Sequence, residues 1–204
     1  MIRAFVGVRI DPEMVERICN AQSELKRRLG GVRWVGRENL HFTVKFLGAV
    51  GEEKIAPISD ALERAVGSIP RFSITGRGIG IFPDIRRARV LWAGFESNNL
   101  GALAQEIEAV LEPIGFPREK RSFKPHLTIG RWRNPVNQEE KLKREIEPWK
   151  DYDFGVSRVE EVILFRSVLK PEGAVYSPLK VIPLSRQPNL NQEERDGRKQ
   201  REGD

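Results

Sequence analysis

Cysteine is almost missing from this chain of 204 residues, which holds only Cys19. A single thiol excludes an intrachain disulfide and any cysteine-rich metal site. Its neighbours Ile18 and Ala21 at helical spacing make Cys19 buried filler rather than a nucleophile. Long apolar runs are missing too. None approaches the roughly 20 residues of a membrane-spanning helix, and Met1–Val6 reads as a strand rather than a secretion signal. The expectation is a cytoplasmic protein with no membrane association. What is present is 39% hydrophobic residues, 31% charged residues and a net charge of +6. The chain is long enough to bury its own core, and its positive field favours an anionic partner.

Histidine and threonine are scarce as well, and this makes their placement informative. There are two histidines, His41 and His126, and three threonines, two of which, Thr43 and Thr128, follow those histidines by two residues. Random placement gives that coincidence a probability on the order of 10⁻⁴. The two stretches are Asn-Leu-His-Phe-Thr-Val-Lys-Phe-Leu-Gly from Asn39 and Lys-Pro-His-Leu-Thr-Ile-Gly-Arg from Lys124. Both are rich in apolar and β-branched residues and read as strands. On a strand, residues i and i+2 share a face, so each copy presents one imidazole beside one hydroxyl while Phe42 or Leu127 points into a core.

Taken in order, residues 2–10 alternate as a strand. Asp11-Pro12 opens a helix with Met14, Ile18, Leu25 and Leu29 on one face, closed by Gly30-Gly31. A short strand at 32–35 leads to the first histidine strand. Residues 51–67 form a second helix, and 71–82 and 87–95 pair as a hairpin across Pro83–Arg86. Asn98 caps a third helix, and a basic loop (Arg118, Lys120, Arg121, Lys124) enters the second histidine strand. A short helix at 137–147 precedes a strand pair at 152–166 and 174–184.

Phe82 and Phe165 close strands at matching distances after the two histidines, so the chain reads as a duplicated unit with an offset of about 85 residues. The predicted class is α+β: a bilobal, pseudo-two-fold domain over 1–184, two antiparallel sheets with helices outside, and a central cleft where the two His-Thr pairs meet. Residues 185–204, poor in aromatics and rich in Gln, Asn, Arg and Glu, read as a disordered tail.

One imidazole that accepts a proton and one that donates it form a minimal general acid–base pair near neutrality. Displacement at phosphorus needs both roles on opposite sides of the phosphorus. The two hydroxyls can donate to non-bridging oxygens, and a cation adds to this. Arg131 is the leading cation, although in an unbroken strand it faces away from His126 and needs a bulge near Gly130. Lys45, four residues after His41, is a second candidate for the same face. The bulky aromatics Trp34, Phe46, Phe82, Trp92, Trp132 and Phe165 are assigned mainly to the core, with one or two at the cleft rim stacking on a base, worth ~1–3 kcal/mol. Two histidines with no cysteine or carboxylate motif make a poor metal site, so neither metal nor cofactor is expected. The residues alone do not say which histidine is the acid.

With these flanks and this order of motifs, the sequence resembles the two-histidine phosphoesterase superfamily, in its RNA 2′,3′-cyclic phosphodiesterase branch, also called the 2′-5′ RNA ligase family. The likeness rests on Arg3–Val8, Val32–Val35, Glu38–Gly48, Phe123–Arg131, Phe165–Ser167 and Gly173–Tyr176. It implies a bilobal fold and metal-independent opening of an RNA 2′,3′-cyclic phosphate to a 2′-phosphate, with minor reversible 2′-5′ ligation. It also implies that His41 is the proton donor to the leaving 3′-oxygen, His126 the proton acceptor from water, and Arg131 a phosphate-binding residue. Gly130 departs from the alanine that many relatives carry. The expected partner is an RNA end, with no obligatory protein partner and a monomeric chain. Two other readings stay open: an RNA-end binding module without turnover, and a phosphodiesterase acting on a small cyclic-phosphate nucleotide.

Overall fold

The expected strands fold into two antiparallel sheets. The structure is a computed structural model that describes residues 1–136, 138–170 and 173–186. In chain order the elements are β1 (Ile2–Val8), α1 (Pro12–Lys26), β2 (Val32–Trp34), β3 (Phe42–Val50), α2 (Ile55–Val66), β4 (Phe72–Phe82), β5 (Ala88–Glu96), α3 (Asn98–Leu111), β6 (His126–Val136), α4 (Glu139–Ile146), β7 (Asp153–Val159), β8 (Glu161–Lys170) and β9 (Gly173–Pro183). One sheet has the order β3-β1-β8-β9 and the other β2-β6-β5-β4-β7.

The duplication is visible in the strand register. On β3, Phe42, Thr43, Lys45 and Phe46 pair with Val8, Gly7, Val6 and Phe5 of β1, and a bulge falls at Val44. On β6, Leu127, Thr128, Gly130 and Arg131 pair with Ala93, Trp92, Leu91 and Val90 of β5, and a bulge falls at Ile129. Both bulges sit on the third residue after the histidine. Phe5 then pairs with Phe165, and Val90 with Phe82, so the two phenylalanines occupy equivalent places.

The lobes do not coincide with the sequence halves. β4 follows the first histidine strand in sequence but joins the sheet of the second, and β8 follows the second but joins the sheet of the first. Each half therefore lends strands to the other, β2 and β4 to the sheet of β6, and β8 and β9 to the sheet of β3. The stretch 152–166, expected as one strand, is two: β7 and β8 lie in different sheets, and the chain crosses at Glu160. The break falls at Glu160-Glu161, between Val159 and Val162, with no Gly or Pro there to mark a turn.

Smaller differences have local causes. The cap of α3 is Ser97, whose hydroxyl accepts from Asn99 N, rather than Asn98. Asp11 precedes α1 as expected, but its carboxylate accepts from Arg158 N on β7, tying the helix start to the sheet. Ser185 still belongs to the fold, because its N–H donates to Ile69 O and its carbonyl accepts from Arg71 N. The expected tail from 187 onward lies outside the described residues.

One continuous apolar core runs through both lobes, from Val6, Phe42 and Ile58 to Leu91, Leu127 and Phe154. A small second cluster, Phe5, Ile163 and Phe165 with Tyr176 against it, stands apart. Among the described residues no helix is long and apolar enough to cross a membrane.

Candidate active site

His41 precedes β3 and His126 begins β6. Both, with Thr43, Thr128 and Arg131, line one open cleft of about 460 Å³, a size suited to a nucleotide. The same cleft is lined by Arg3, Phe5, Phe46, Ser167 and Tyr176, and no Asp or Glu borders it among the described residues. Among the described residues no three His, Cys, Asp or Glu side chains gather as a metal-binding group.

The two imidazoles are held alike. His41 Nδ1–H donates to the Asn39 carbonyl at 2.7 Å, and His126 Nδ1–H donates to the Lys124 carbonyl at 2.8 Å. A carbonyl can only accept, so each bond fixes the tautomer and leaves Nε2 as the free basic nitrogen. Burial lowers both pKa values below the ordinary histidine range, against the upward pull of those carbonyl bonds.

Their surroundings differ. The His41 ring stacks on Phe5 at 4.7 Å, meets the edge of Tyr176 at 4.7 Å and lies 5.8 Å from Phe165. The His126 ring meets Phe82 edge-on at 5.0 Å, and the charge of Arg131 lowers its pKa further. Aromatic faces favour a cation beside them, whereas a neighbouring guanidinium disfavours one. Burial thus disfavours a cation at both rings, with the aromatic faces working against that effect at His41 and Arg131 adding to it at His126. Through the exchange of strands, each histidine meets a phenylalanine supplied by the other half of the chain.

The bulges decide which side chains enter the cleft. At Ile129 the bulge restores Arg131 to the face of Thr128, and its guanidinium donates to Thr128 Oγ1 at 3.3 Å. That contact occupies an acceptor lone pair and leaves the threonine proton free to donate. The carbonyl of the bulged Ile129 accepts from Gln22 Nε2 at 2.8 Å and from Val35 N at 3.0 Å, and the same amide of Gln22 donates to Val35 O at 2.9 Å. Gln22 on α1 thus holds the bulge that aims Arg131. A Cβ at Gly130 would lie 2.5 Å from Val32 Cγ1, so β2 packs directly over the glycine.

The matching bulge at Val44 corrects the expectation for Lys45. It turns Lys45 away from the cleft, where the ammonium is buried against Glu108 of α3 and donates to Pro117 O at 2.9 Å. Equal spacing on an unbroken strand put Lys45 beside His41, and the extra residue reverses its side. In its place Phe46 faces the cleft, 72% exposed. Phe46 holds the position that Arg131 holds in the second copy. Phe46 is thus one of the aromatics expected mainly in the core that instead stands at the rim, while Arg3, Phe5 and Tyr176 are cleft residues that the spacing of the motifs does not point to. The signal for Phe46 was available: it follows His41 by the same five residues that separate Arg131 from His126.

Comparison with known proteins agrees with this geometry. The family model for LigT-like phosphoesterases matches residues 8–92 and 96–176. Proteins named RNA 2′,3′-cyclic phosphodiesterase from Methanocaldococcus jannaschii and Methanothermobacter thermautotrophicus are 38% and 36% identical, over 88% and 90% of this chain and 99% of each relative. A solved structure from Thermus thermophilus has a TM-score of 0.79 at 28% identity, covering 92% of this chain and 100% of its own. Escherichia coli LigT complexed with 3′-AMP has a TM-score of 0.73 at 25% identity, covering 90% and 98%. With its duplicated register, its paired histidines and a match across most of its length, this chain belongs to the LigT-like phosphoesterase family.

Proposed function

We propose that the protein hydrolyses the 2′,3′-cyclic phosphate at an RNA end to a 2′-phosphate, without a cofactor. The observation that carries the proposal is the pair of imidazoles in one cleft, each with Nδ1 committed to a backbone carbonyl and Nε2 free. Relatives named RNA 2′,3′-cyclic phosphodiesterase at 36% and 38% identity support the substrate.

In the proposed reaction His126 Nε2 takes a proton from water as its oxygen bonds to phosphorus. The bond from phosphorus to O3′ breaks on the opposite side, and O3′ receives the proton from His41 Nε2. The product is a 2′-phosphomonoester. His41 ends neutral and His126 protonated, and exchange with solvent resets both. Thr43 and Thr128 donate to the non-bridging oxygens, and Arg131 neutralises the charge that gathers there. The aromatic surround of His41 and the guanidinium near His126 support this division of roles. Phe46, broad and exposed on the cleft wall, suits stacking by the terminal base. A 5′-hydroxyl in place of water forms a 2′-5′ bond by the same path, a minor reaction because water is abundant.

The test uses a short RNA ending in 2′,3′-cyclic phosphate, incubated with chelator, with the product isomer identified. A 2′-phosphate that disappears in His41→Ala and His126→Ala, with folding retained, is the expected result. A 3′-phosphate reverses the leaving-group assignment. Full activity in either variant overturns the acid–base pair. Tight binding with no turnover in the unaltered protein favours an RNA-end binding module instead.

A further inference from the structure

A row of polar groups on the cleft wall lies beyond the residues used by the reaction. Arg3 on β1 pairs with Ser167 on β8, and Ser167 pairs with Tyr176 on β9. Residues directly opposite on neighbouring strands share a face, and all three side chains line the cleft. The row runs parallel to that of Phe46, Phe5 and Phe165, on the side away from Thr43.

Three observations mark this row as a place for an anion. Arg3 is exposed and makes no ion pair among the described residues, although many of the chain's other arginines do. The hydroxyls of Ser167 and Tyr176 make no hydrogen bond within the described residues. No carboxylate among those residues borders the cleft to neutralise either Arg3 or Arg131. Tyr176 sits within reach of both charges: burial raises its pKa, and Arg131 and Arg3 each pull it back down.

We propose that Arg3, Ser167 and the Tyr176 hydroxyl form a second phosphate subsite, which binds the phosphodiester joining the terminal nucleoside of an RNA to its 5′ neighbour. The proposal rests on the reading of the cleft as an RNA-end site and assigns it a preference for chains over mononucleotides. The spacing fits. Arg3 lies four residues along β1 from Gly7, the partner of Thr43, which is about 13 Å of strand. An extended arginine side chain and one phosphate-to-phosphate step of the RNA together bridge that distance. The base of the same nucleotide then falls over the intervening aromatic row, with one phosphate on either side.

The test compares two dinucleotides ending in 2′,3′-cyclic phosphate, one with the natural linkage and one with an uncharged methylphosphonate linkage. The natural linkage should raise kcat/KM roughly tenfold, the effect of one charge-assisted hydrogen bond. In Arg3→Gln the ratio should fall to near one, and in Arg3→Lys most of it should remain. A ratio near one in the unaltered protein, or a ratio that survives in Arg3→Gln, overturns the subsite.

Dissociation constants for the corresponding dinucleotides ending in 2′-phosphate give the same ratio without turnover. If the unaltered protein binds with that preference, loses it in Arg3→Gln and turns over neither substrate, the subsite stands and the hydrolase reading falls. Turnover without any preference in binding has the opposite meaning.

Discussion

The aim of Arg131 depends on Gln22, and this dependence can be tested by removing an amide that touches no substrate. Gln22 is 8% exposed, and its one NH₂ group serves two carbonyls, those of Val35 and Ile129. Gln22→Leu keeps nearly the same volume and deletes both bonds. The Ile129 carbonyl retains Val35 N at 3.0 Å, while the Val35 carbonyl loses the Gln22 amide. Two bonds at about 0.5–1.5 kcal/mol each predict a loss of roughly 1–3 kcal/mol in unfolding free energy, readable by urea denaturation. With the bulge loosened, the guanidinium loses its fixed direction, and kcat/KM on a cyclic-phosphate RNA should fall up to about tenfold. The decisive assay is a double-mutant cycle with Arg131→Ala. If Gln22 acts through Arg131, Gln22→Leu should cost almost no further activity once the arginine is gone. An equal loss in both backgrounds would refute the reasoning, as would unchanged stability in the single variant.

The acid limb of the pH profile of kcat/KM should report His126, which must be neutral to accept a proton, and should lie below the ordinary histidine range because burial and Arg131 both lower its pKa. Arg131→Ala removes a cation that disfavours the imidazolium, so that limb should move to higher pH; a shift downward would contradict the assignment. Lys45→Met leaves Glu108, 16% exposed, without its ammonium, and should destabilise the fold by about 3 kcal/mol. Activity per folded molecule should remain within about twofold, and a selective collapse of kcat at full folding would return Lys45 to the reaction. Phe46→Ala should weaken binding of an RNA 2′-phosphate end by ~1–3 kcal/mol, measured as a dissociation constant, and Phe46→Trp should restore it. Equal affinity in all three proteins would remove the base from that wall.

Much of the site was legible because its spacing is local. His41 with Thr43, and His126 with Thr128, sit at strand period in a chain nearly devoid of both residue types, and matching apolar flanks identified the strands. The need for a bulge before Arg131 was also legible, since unbroken alternation turns it away. The bulge at Val44 was not, because a bulge leaves no mark in composition. Allowing a bulge put Arg131 on the cleft face, and assuming an unbroken strand misplaced Lys45. The exchange of β4 and β8 between sheets was hidden for a related reason: strand partners are chosen by long-range packing, and no Gly or Pro stands between Val159 and Val162 to announce a turn. Which aromatic stands at the rim was not legible from burial tendency alone, because an aromatic residue on a strand is ordinarily buried, and the comparison of the two copies at five residues past each histidine is what singles out Phe46.

The trading of strands has a bearing on how the protein is made. β1 leaves the ribosome before the other strands, yet it becomes an interior strand with β3 on one side and β8 on the other. Its second edge stays open until residues 161–170 have been synthesised, nearly the whole chain later. Exposed strand edges recruit other chains, so nascent copies pass through a long interval of vulnerability to aggregation. His41 waits for Phe165 on that same late strand, and Tyr176 follows on β9. The nascent chain therefore gains its reactive cleft in a single late step, rather than one lobe at a time.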